Sequence, residues 1–306
     1  MNDTSEKGKK EILPIFFMGC LFVIINGFAL FLSYIFIGAG MEVFEQANDP
    51  MNLVWVFITI LGMTILILLI AKFWKKRLIQ LIILFAVGYT SFYIFFPLFS
   101  LVIFDLFVTV FFSIILAVCL VVALVKYPEW YIIDLCGIII GAGAVALFGI
   151  SLSVLLVLIL LIGLAIYDAI SVYKTKHMID LADTVMDLKL PVLLIVPKIR
   201  HYSLLKETKR LKEKLQAGEE REAFFMGLGD IVFPGILVAT VYTGDPSWLP
   251  VALSVLVGTL VGFSVLMTFV IKGKPQAGLP LLCSGAILGY IISSYIFFGT
   301  LVGFSF

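Results

Sequence analysis

Charged residues are scarce in this chain. They make up 13% of the 306 residues, whereas hydrophobic residues make up 62% and the mean hydropathy is +1.17. Soluble domains carry about a quarter charged residues, so this composition excludes a soluble globule and predicts a polytopic membrane protein whose surroundings are a lipid bilayer. The few basic residues lie in short clusters between apolar runs rather than on one face. We therefore predict no nucleic-acid partner.

Histidine is nearly absent, and cysteine is both rare and dispersed. The two histidines, His177 and His201, lie in the one long polar segment. A zinc hydrolase of the HExxH type, or a Ser/His hydrolase within the membrane, needs a buried histidine, so the sequence excludes both. The four cysteines lie in apolar runs without metal-ligand spacing and are interpreted as small buried hydrophobic residues: Cys20, Cys119, Cys136 and Cys283. We predict no metal and no cofactor.

Nine apolar runs are long enough to cross a bilayer, which predicts an all-α membrane protein with nine transmembrane helices. The predicted spans are Ile12–Ile37, Leu53–Ala71, Leu78–Phe96, Leu106–Val125, Trp130–Phe148, Ser151–Tyr173, Phe224–Tyr242, Leu249–Ile271 and Leu279–Phe298. They divide the chain into a six-span part (1–173), a polar loop (174–223) and a three-span part (224–306).

The charges fix one topology for these spans. All 21 Lys and Arg residues lie on the same side as the N-terminus, whereas the opposite side has acidic residues and no basic one: Glu42, Glu45, Asp49, Asp105 and Asp245. One span more or fewer would mix the two sets. The positive-inside rule then predicts a cytoplasmic N-terminus and an outer C-terminus, in what we expect to be the cell membrane.

The polar loop has three recognisable stretches. Met178–Asp187 has helical spacing of apolar residues and predicts an amphipathic helix on the membrane surface. Leu190–Val196 lies between prolines and is rich in strand-forming residues, so it is a candidate strand. Two roles stay open for it: addition to an unwound substrate peptide as an extra strand, or an apolar loop resting on the membrane interface. Residues 203–221 are charged and predict a solvated helix.

Two aspartates lie inside apolar runs at a similar depth. Asp168 precedes Lys174 by ~9 Å of helical rise, and Asp230 follows Glu222 by ~12 Å on an antiparallel helix. Burying one aspartate in a membrane costs roughly 2.5–3.5 kcal/mol, so a function is expected. Two adjacent carboxylates can share one proton, which lets one accept a proton from water while the other protonates a carbonyl. On depth alone, Asp134 is an alternative member of the pair, and separate structural roles are another alternative. Asp105 is expected to be an interfacial residue at the start of a helix.

The residues around Asp230 favour the approach of another chain. Gly227 and Gly229 have no side chains that would block a neighbouring backbone. Pro234 has no N–H to donate to the carbonyl of Asp230, so this acceptor next to the carboxylate is free.

Three short motifs lie at the ends of predicted spans: Tyr167-Asp168, Gly227-Leu228-Gly229-Asp230 and Gln276-Ala277-Gly278-Leu279-Pro280. They resemble the motifs of the presenilin and signal-peptide-peptidase family of intramembrane aspartyl proteases, and most closely those of its microbial presenilin homologues. Tyr167-Asp168 is similar to the YD motif, and Gly227-Leu228-Gly229-Asp230 to the GxGD motif. The third motif, Gln276-Ala277-Gly278-Leu279-Pro280, has Ala-Gly-Leu where the family has Pro-Ala-Leu. The resemblance covers the whole chain, and the charge distribution agrees with the presenilin orientation.

This resemblance implies a presenilin-like fold and a protease that cuts transmembrane helices of substrate proteins by a two-aspartate mechanism. Asp168 and Asp230 would be catalytic. The residues expected to contact or shape the substrate are Tyr167, Gly227, Leu228, Gly229, Gly278, Leu279 and Pro280. The alternative function is an ion-coupled transporter, because such proteins also have paired membrane carboxylates and glycine-broken helices. The two halves of this chain, however, show no obvious inverted repeat.

Overall fold

The helices follow the apolar runs of the sequence. A computed structural model describes residues 2–73, 76–172, 193–198, 202, 223–271 and 276–304. Its helices are α1 (Asn2–Gly38), α2 (Pro50–Phe73), α3 (Lys76–Ser100), α4 (Leu106–Lys126), α5 (Trp130–Ser151), α6 (Val154–Ile170), α7 (Leu228–Gly244), α8 (Leu249–Ile271) and α9 (Gly278–Phe298). Two strands, β1 (Leu193–Pro197) and β2 (Ala223–Gly227), and a short 3₁₀ helix at Pro246–Trp248 complete the described elements.

The prediction of an all-α membrane protein with nine spans is confirmed. Within the described ranges, six helices are long and apolar enough to cross a membrane, and three shorter apolar helices occupy the positions of the other predicted spans. Large apolar side chains cover much of the outer surface, where lipid replaces water as the neighbour.

Helix α4 illustrates how a span satisfies its polar groups. Asp105 precedes it, and the Asp105 carboxylate accepts the backbone N–H of Val108 at 3.0 Å. The Thr109 and Ser113 hydroxyls donate to carbonyls one turn earlier in the same helix. Because the bilayer offers no water to these groups, such internal bonds are what permit a polar residue within a span. Asp105 thus starts a helix, as predicted from its position.

Three helices form the centre of the molecule. α5 packs against both α1 and α7, and its small residues Gly141 and Ala142 lie at this contact. α8 and α9 form a close antiparallel pair, and α9 also contacts α6 and α7. This arrangement brings the end of α6, the start of α7 and the start of α9 together.

The start of the seventh span differs from the prediction. Phe224–Gly227 was expected to be helical, but the structure has β2 there, and α7 begins only at Leu228. β2 pairs antiparallel with β1, with Ile195 opposite Phe225. A partner strand binds one edge of an apolar strand and so stabilises it against the helix, and two glycines disfavour an earlier start of the helix.

Smaller differences occur at two other span boundaries. α3 continues through Pro97 to Ser100, whereas the prediction ended the span before this proline. α6 begins at Val154 rather than Ser151, because α5 extends to Ser151. The amphipathic helix predicted at 178–187 and the helix predicted at 203–221 lie outside the described residues.

Candidate active site

The first candidate carboxylate, Asp168, lies in the last turn of α6 and is partly buried. The backbone N–H of Leu279, in the first turn of α9, donates to Asp168 Oδ2 at 3.1 Å. The neighbouring amide of Gly278 also interacts with this carboxylate. The free N–H groups at the start of a helix favour an anionic partner, so the α9 terminus is a suitable neighbour for a carboxylate.

The second candidate carboxylate, Asp230, lies in the first turn of α7 and is also partly buried. Two glycines lie against it. A Cβ atom on Gly278 would be 3.1 Å from Asp230 Oδ2, and one on Gly227 would be 3.4 Å from the same oxygen. The close approach of Gly278 to Asp230 thus depends on its missing side chain, whereas a Cβ atom on Gly227 would only be in ordinary van der Waals contact.

The start of α9 links the two carboxylates. Its Leu279 amide binds Asp168, while its Gly278 Cα faces Asp230. Asp168 and Asp230 are thus neighbours, and the buried thiol of Cys283, one turn further along α9, lies near both. The sequence predicted a similar depth in the membrane for Asp168 and Asp230, and in the structure the two residues lie close together. The proximity of Cys283 was missed, because a cysteine in an apolar run has no distinguishing pattern.

The other predicted site residues surround this pair at different distances. Tyr167 precedes Asp168 on α6 and is 60% exposed on the outer surface of the chain. Leu228 packs towards Gly137 and Gly141 of α5. A Cβ atom on Gly229 would be 3.3 Å from the ring of Phe233 and, leaving its two chain neighbours aside, would have no other described side chain within 4 Å. The remaining two, Leu279 and Pro280, lie in the first turn of α9, with Leu279 buried.

Asp134 occupies a separate place. Its Oδ1 accepts the backbone N–H of Ile195 in β1 at 2.8 Å, and the side chain is buried. This long-range contact was not predicted, because nothing in the local sequence around Asp134 points to a strand 61 residues away.

A cavity of about 730 Å³ lies at the opposite ends of the helices and includes neither candidate carboxylate. Its lining includes Glu42, Thr240, Trp248 and Val302. Among the described residues, no group of three or more His, Cys, Asp and Glu side chains is placed to hold a metal ion.

Comparison with known proteins identifies the family. The model of the family described as signal-peptide peptidase, presenilin aspartyl protease matches residues 19–300. The chain belongs to this family. A solved structure of a presenilin family intramembrane aspartate protease in space group C222 is 33% identical, with 92% of this chain and 98% of that chain covered and a TM-score of 0.66. A second, in space group P2, is 34% identical, with 91% and 96% covered and a TM-score of 0.68. A search of curated proteins found no match.

The presenilin-family fold, the membrane spans and these solved relatives agree on the activity. The protein is an intramembrane aspartyl protease that hydrolyses peptide bonds within transmembrane helices, and its substrates lie in a lipid bilayer. The comparisons give no support to the transporter alternative.

Proposed function

We propose that Asp168 and Asp230 are the catalytic pair of this presenilin-family protease. The observation that supports this role is the convergence of both carboxylates on the start of α9, where Leu279 binds Asp168 and Gly278 lies against Asp230. Backbone groups of this kind orient a carboxylate without competing for its proton. We assign the neighbouring residues Tyr167, Gly227, Leu228, Gly229, Gly278, Leu279 and Pro280 to the surroundings of the substrate.

In the proposed reaction the two carboxylates share one proton. The ionised member takes a proton from a water molecule, whose oxygen attacks the carbonyl carbon of the peptide bond, while the protonated member gives its proton to the carbonyl oxygen. The tetrahedral intermediate then collapses. The first carboxylate gives the proton that it took from water to the nitrogen, the second takes a proton from a hydroxyl of the intermediate, and the C–N bond breaks. A carboxylic acid and an amine are released, and the two carboxylates again hold one proton.

The substrate must expose the peptide bond that is cut, because a helix engages its amide groups in internal hydrogen bonds. We propose that the unwound segment adds to the outer edge of β2. Ile195 directs its N–H to Asp134 and so away from β2, which makes Ile195–Phe225 a pair without mutual hydrogen bonds. The N–H and C=O of Phe225 therefore point away from β1. Among the described residues, the sheet has only these two strands.

The substrate is thus expected to pair with β2 rather than with β1. The sequence suggested that Leu190–Val196 itself receives the substrate, but one edge of β1 binds β2 and its other edge is engaged by Asp134. The alternative of an apolar loop on the interface is wrong for Leu193–Pro197, which is a strand. β2 also runs directly into Gly227 and Asp230, so a peptide on its free edge passes close to the carboxylates.

We further propose that the enzyme lies in the cell membrane with its N-terminus in the cytoplasm and its C-terminus outside. The asymmetric distribution of the 21 basic residues supports this orientation. It also supports the division into 1–173, the loop 174–223 and 224–306, with one catalytic aspartate in each membrane part. Accessibility of single cysteines placed at residue 45 and residue 245 to a membrane-impermeant reagent would test the orientation.

The test of the catalytic pair uses the purified protein and a model transmembrane peptide. Asp168→Ala and Asp230→Ala should each lower the cleavage rate by roughly 10³-fold or more, because each removes a proton-transfer group. The thermal stability of both variants should change little, since each substitution also removes a costly membrane carboxylate. The rate of the wild type should be bell-shaped against pH.

Asp245→Ala is the matched control. This carboxylate caps the short 3₁₀ helix by accepting the N–H of Ser247 and lies outside the apolar spans. Its substitution should leave cleavage unchanged. Normal turnover by either Asp168→Ala or Asp230→Ala would show that the catalytic carboxylates lie elsewhere.

A further inference from the structure

Asp134 is a buried carboxylate that the proposed reaction does not use. It lies in the second turn of α5, and its Oδ1 accepts the Ile195 amide of β1 at 2.8 Å. Asp105 and Asp245 also accept backbone N–H groups, but from residues only three and two positions away. Asp134 instead joins a helix to a strand across 61 residues of sequence. Its contact therefore positions one element relative to another.

The residues that follow Asp134 on the same face of α5 extend this contact. Gly137 comes one turn later, and a Cβ atom there would be 2.7 Å from Leu194 Cδ2 of β1. Gly141 comes one turn further, and a Cβ atom there would be 3.0 Å from Leu228 Cδ1 at the start of α7. Positions separated by three and four residues share a helix face. One face of α5 thus binds β1 by a hydrogen bond and accommodates both β1 and the first residue of α7.

The pair of strands β1 and β2 connects the α5 contact to the candidate carboxylate Asp230. Ile195, bound by Asp134, lies opposite Phe225 in β2. β2 ends at Gly227, which is the N-cap residue of α7, and Asp230 follows in the first turn. A displacement of β1 on α5 would therefore move both the free edge of β2 and the start of the helix that carries Asp230.

We propose that Asp134 is a positioning residue that anchors the β1–β2 sheet on α5 and thereby sets which peptide bond of a bound substrate faces Asp168 and Asp230. The proposal rests on the proposed catalytic pair and on strand addition at β2. Asp134 does not exchange protons with the substrate in this role. It supplies an acceptor oxygen at a fixed place on a rigid helix, and an amide oxygen can supply the same contact.

The test compares Asp134→Ala with Asp134→Asn in the purified full-length protein. For a model transmembrane peptide, we measure kcat, KM and the distribution of cut positions by mass spectrometry. Asp134→Ala should raise KM about tenfold and spread the cuts over neighbouring bonds, because the sheet loses its anchor. Asp134→Asn retains the Oδ1 acceptor and should restore the wild-type cut position, with KM within about threefold of wild type.

Gly137→Ala provides a second route to the same displacement. Its new methyl group would be 2.7 Å from Leu194 Cδ2, and Leu194 is fully buried, so we expect β1 to shift while Asp134 stays in place. The cuts should then spread in the same way, including in the event that Asp134→Ala does not fold. The matched control is Asp105→Ala, which removes a carboxylate that accepts a backbone N–H far from the sheet. This variant should keep the wild-type cut position whatever its stability.

Two results would overturn the role. The first is a folded Asp134→Asn protein that has lost as much activity as Asp134→Ala. This result would assign a proton-transfer function to Asp134. A wild-type cut distribution in both Asp134→Ala and Gly137→Ala would show that the anchor does not set the register. Neither result depends on the cleavage rates of Asp168→Ala and Asp230→Ala. Those two rates test the catalytic pair by themselves, so an error in that assignment can be distinguished from an error in the role of Asp134.

Discussion

Glycine has two different tasks in two regions of this protease. At the α8–α9 interface, Gly258 and Gly285 face each other so closely that a Cβ atom on either would overlap the backbone carbonyl of the other. A Cβ atom on Gly289 would be 2.5 Å from the carbonyl oxygen of Ser254. Close backbone packing of this kind is typical of helix pairs in membranes, where burial of apolar surface adds little. These glycines stabilise the pair.

At the candidate active site, the glycines lie against side chains, which can change conformation, rather than against a backbone. A Cβ atom on Gly278 or Gly227 would meet the Asp230 carboxylate, and one on Gly229 would meet only the ring of Phe233 in its own helix. Among the described residues, the nearest atoms to these positions belong to side chains and not to a facing backbone. We therefore expect the glycines of the α8–α9 interface to matter for stability and those near Asp230 to matter for access to the carboxylates.

The largest effect is expected at the α8–α9 interface. Gly285→Val would force the two backbones apart, because neither can yield as a side chain does, and overpacking costs about 1–3 kcal/mol or more. The apparent melting temperature in detergent and the cleavage rate should fall together. Gly62→Val is the control, since a Cβ atom on Gly62 in α2 meets nothing within 4 Å. An inactive Gly285→Val protein with wild-type thermal stability would contradict the division into two tasks.

The next effect concerns Gly278. Gly278→Val would place a branched side chain against Asp230 and should lower kcat about 100-fold, as expected when a catalytic group shifts by about 1 Å. Thermal stability should change little, because the carboxylate can turn. Gly278→Ala is the matched control. Alanine is the residue of the family motif at this position, and its single methyl group needs a shift of only a few tenths of an ångström. A parallel loss of stability and activity in Gly278→Val would assign Gly278 to packing.

The sequence was sufficient for features that depend on near neighbours. The nine spans followed from long apolar runs, and the role of Asp105 at the start of α4 followed from its place just before one of them. The approach of Asp168 and Asp230 could also be anticipated, because two spans of known direction carry them at one depth. Each of these inferences needs only helical rise and the side on which a loop lies.

Features that depend on distant partners were not predictable. The boundary between β2 and α7 depends on pairing with β1, and the contact of Asp134 depends on where β1 docks on α5. The run at 224–227 is apolar in either conformation, so hydrophobicity alone gives no reason to end the helix at Leu228. Only the partner strand distinguishes the two.

A smaller effect is expected at Gly229. Within the part of the chain that the structure describes, a Cβ atom at this position meets only the Phe233 ring. Valine also has a slightly better helix propensity than glycine, so the stability of the protein should be unchanged or slightly higher. Its side chain would instead occupy space next to Asp230 through which a substrate backbone passes. We expect kcat/KM to fall about tenfold. Alanine at the same position should lie between valine and wild type, and equal losses of stability and turnover would place a neighbouring helix at Gly229.

The smallest effect is expected from changes in the substrate itself, which test whether the open region around Asp230 receives an unwound peptide. Asp168 lies in the last turn of α6 and Asp230 in the first turn of α7, so both carboxylates lie near one end of the helices. A general acid must come within about 3 Å of the atom that it protonates, and the depth of the pair therefore sets the depth of the cut. With the proposed orientation, the first cut should fall in the cytoplasmic third of the substrate span. The ~9 Å of helical rise between Asp168 and Lys174 places it about six residues from the basic end of a helical substrate, and fewer residues if that end is unwound.

A glycine pair moved along the substrate span measures this depth. Each glycine weakens a helix by about 1 kcal/mol relative to alanine, so a pair at the cut position should speed cleavage several-fold by lowering the cost of unwinding. The same pair in the outer third should leave the rate unchanged and serves as the control. Mass spectrometry of the products identifies the first bond that is cut. Because the proposed site lies at one end of the helices, first cuts at the outer boundary, or in the water-exposed tails, would contradict both the orientation and the assignment of Asp168 and Asp230.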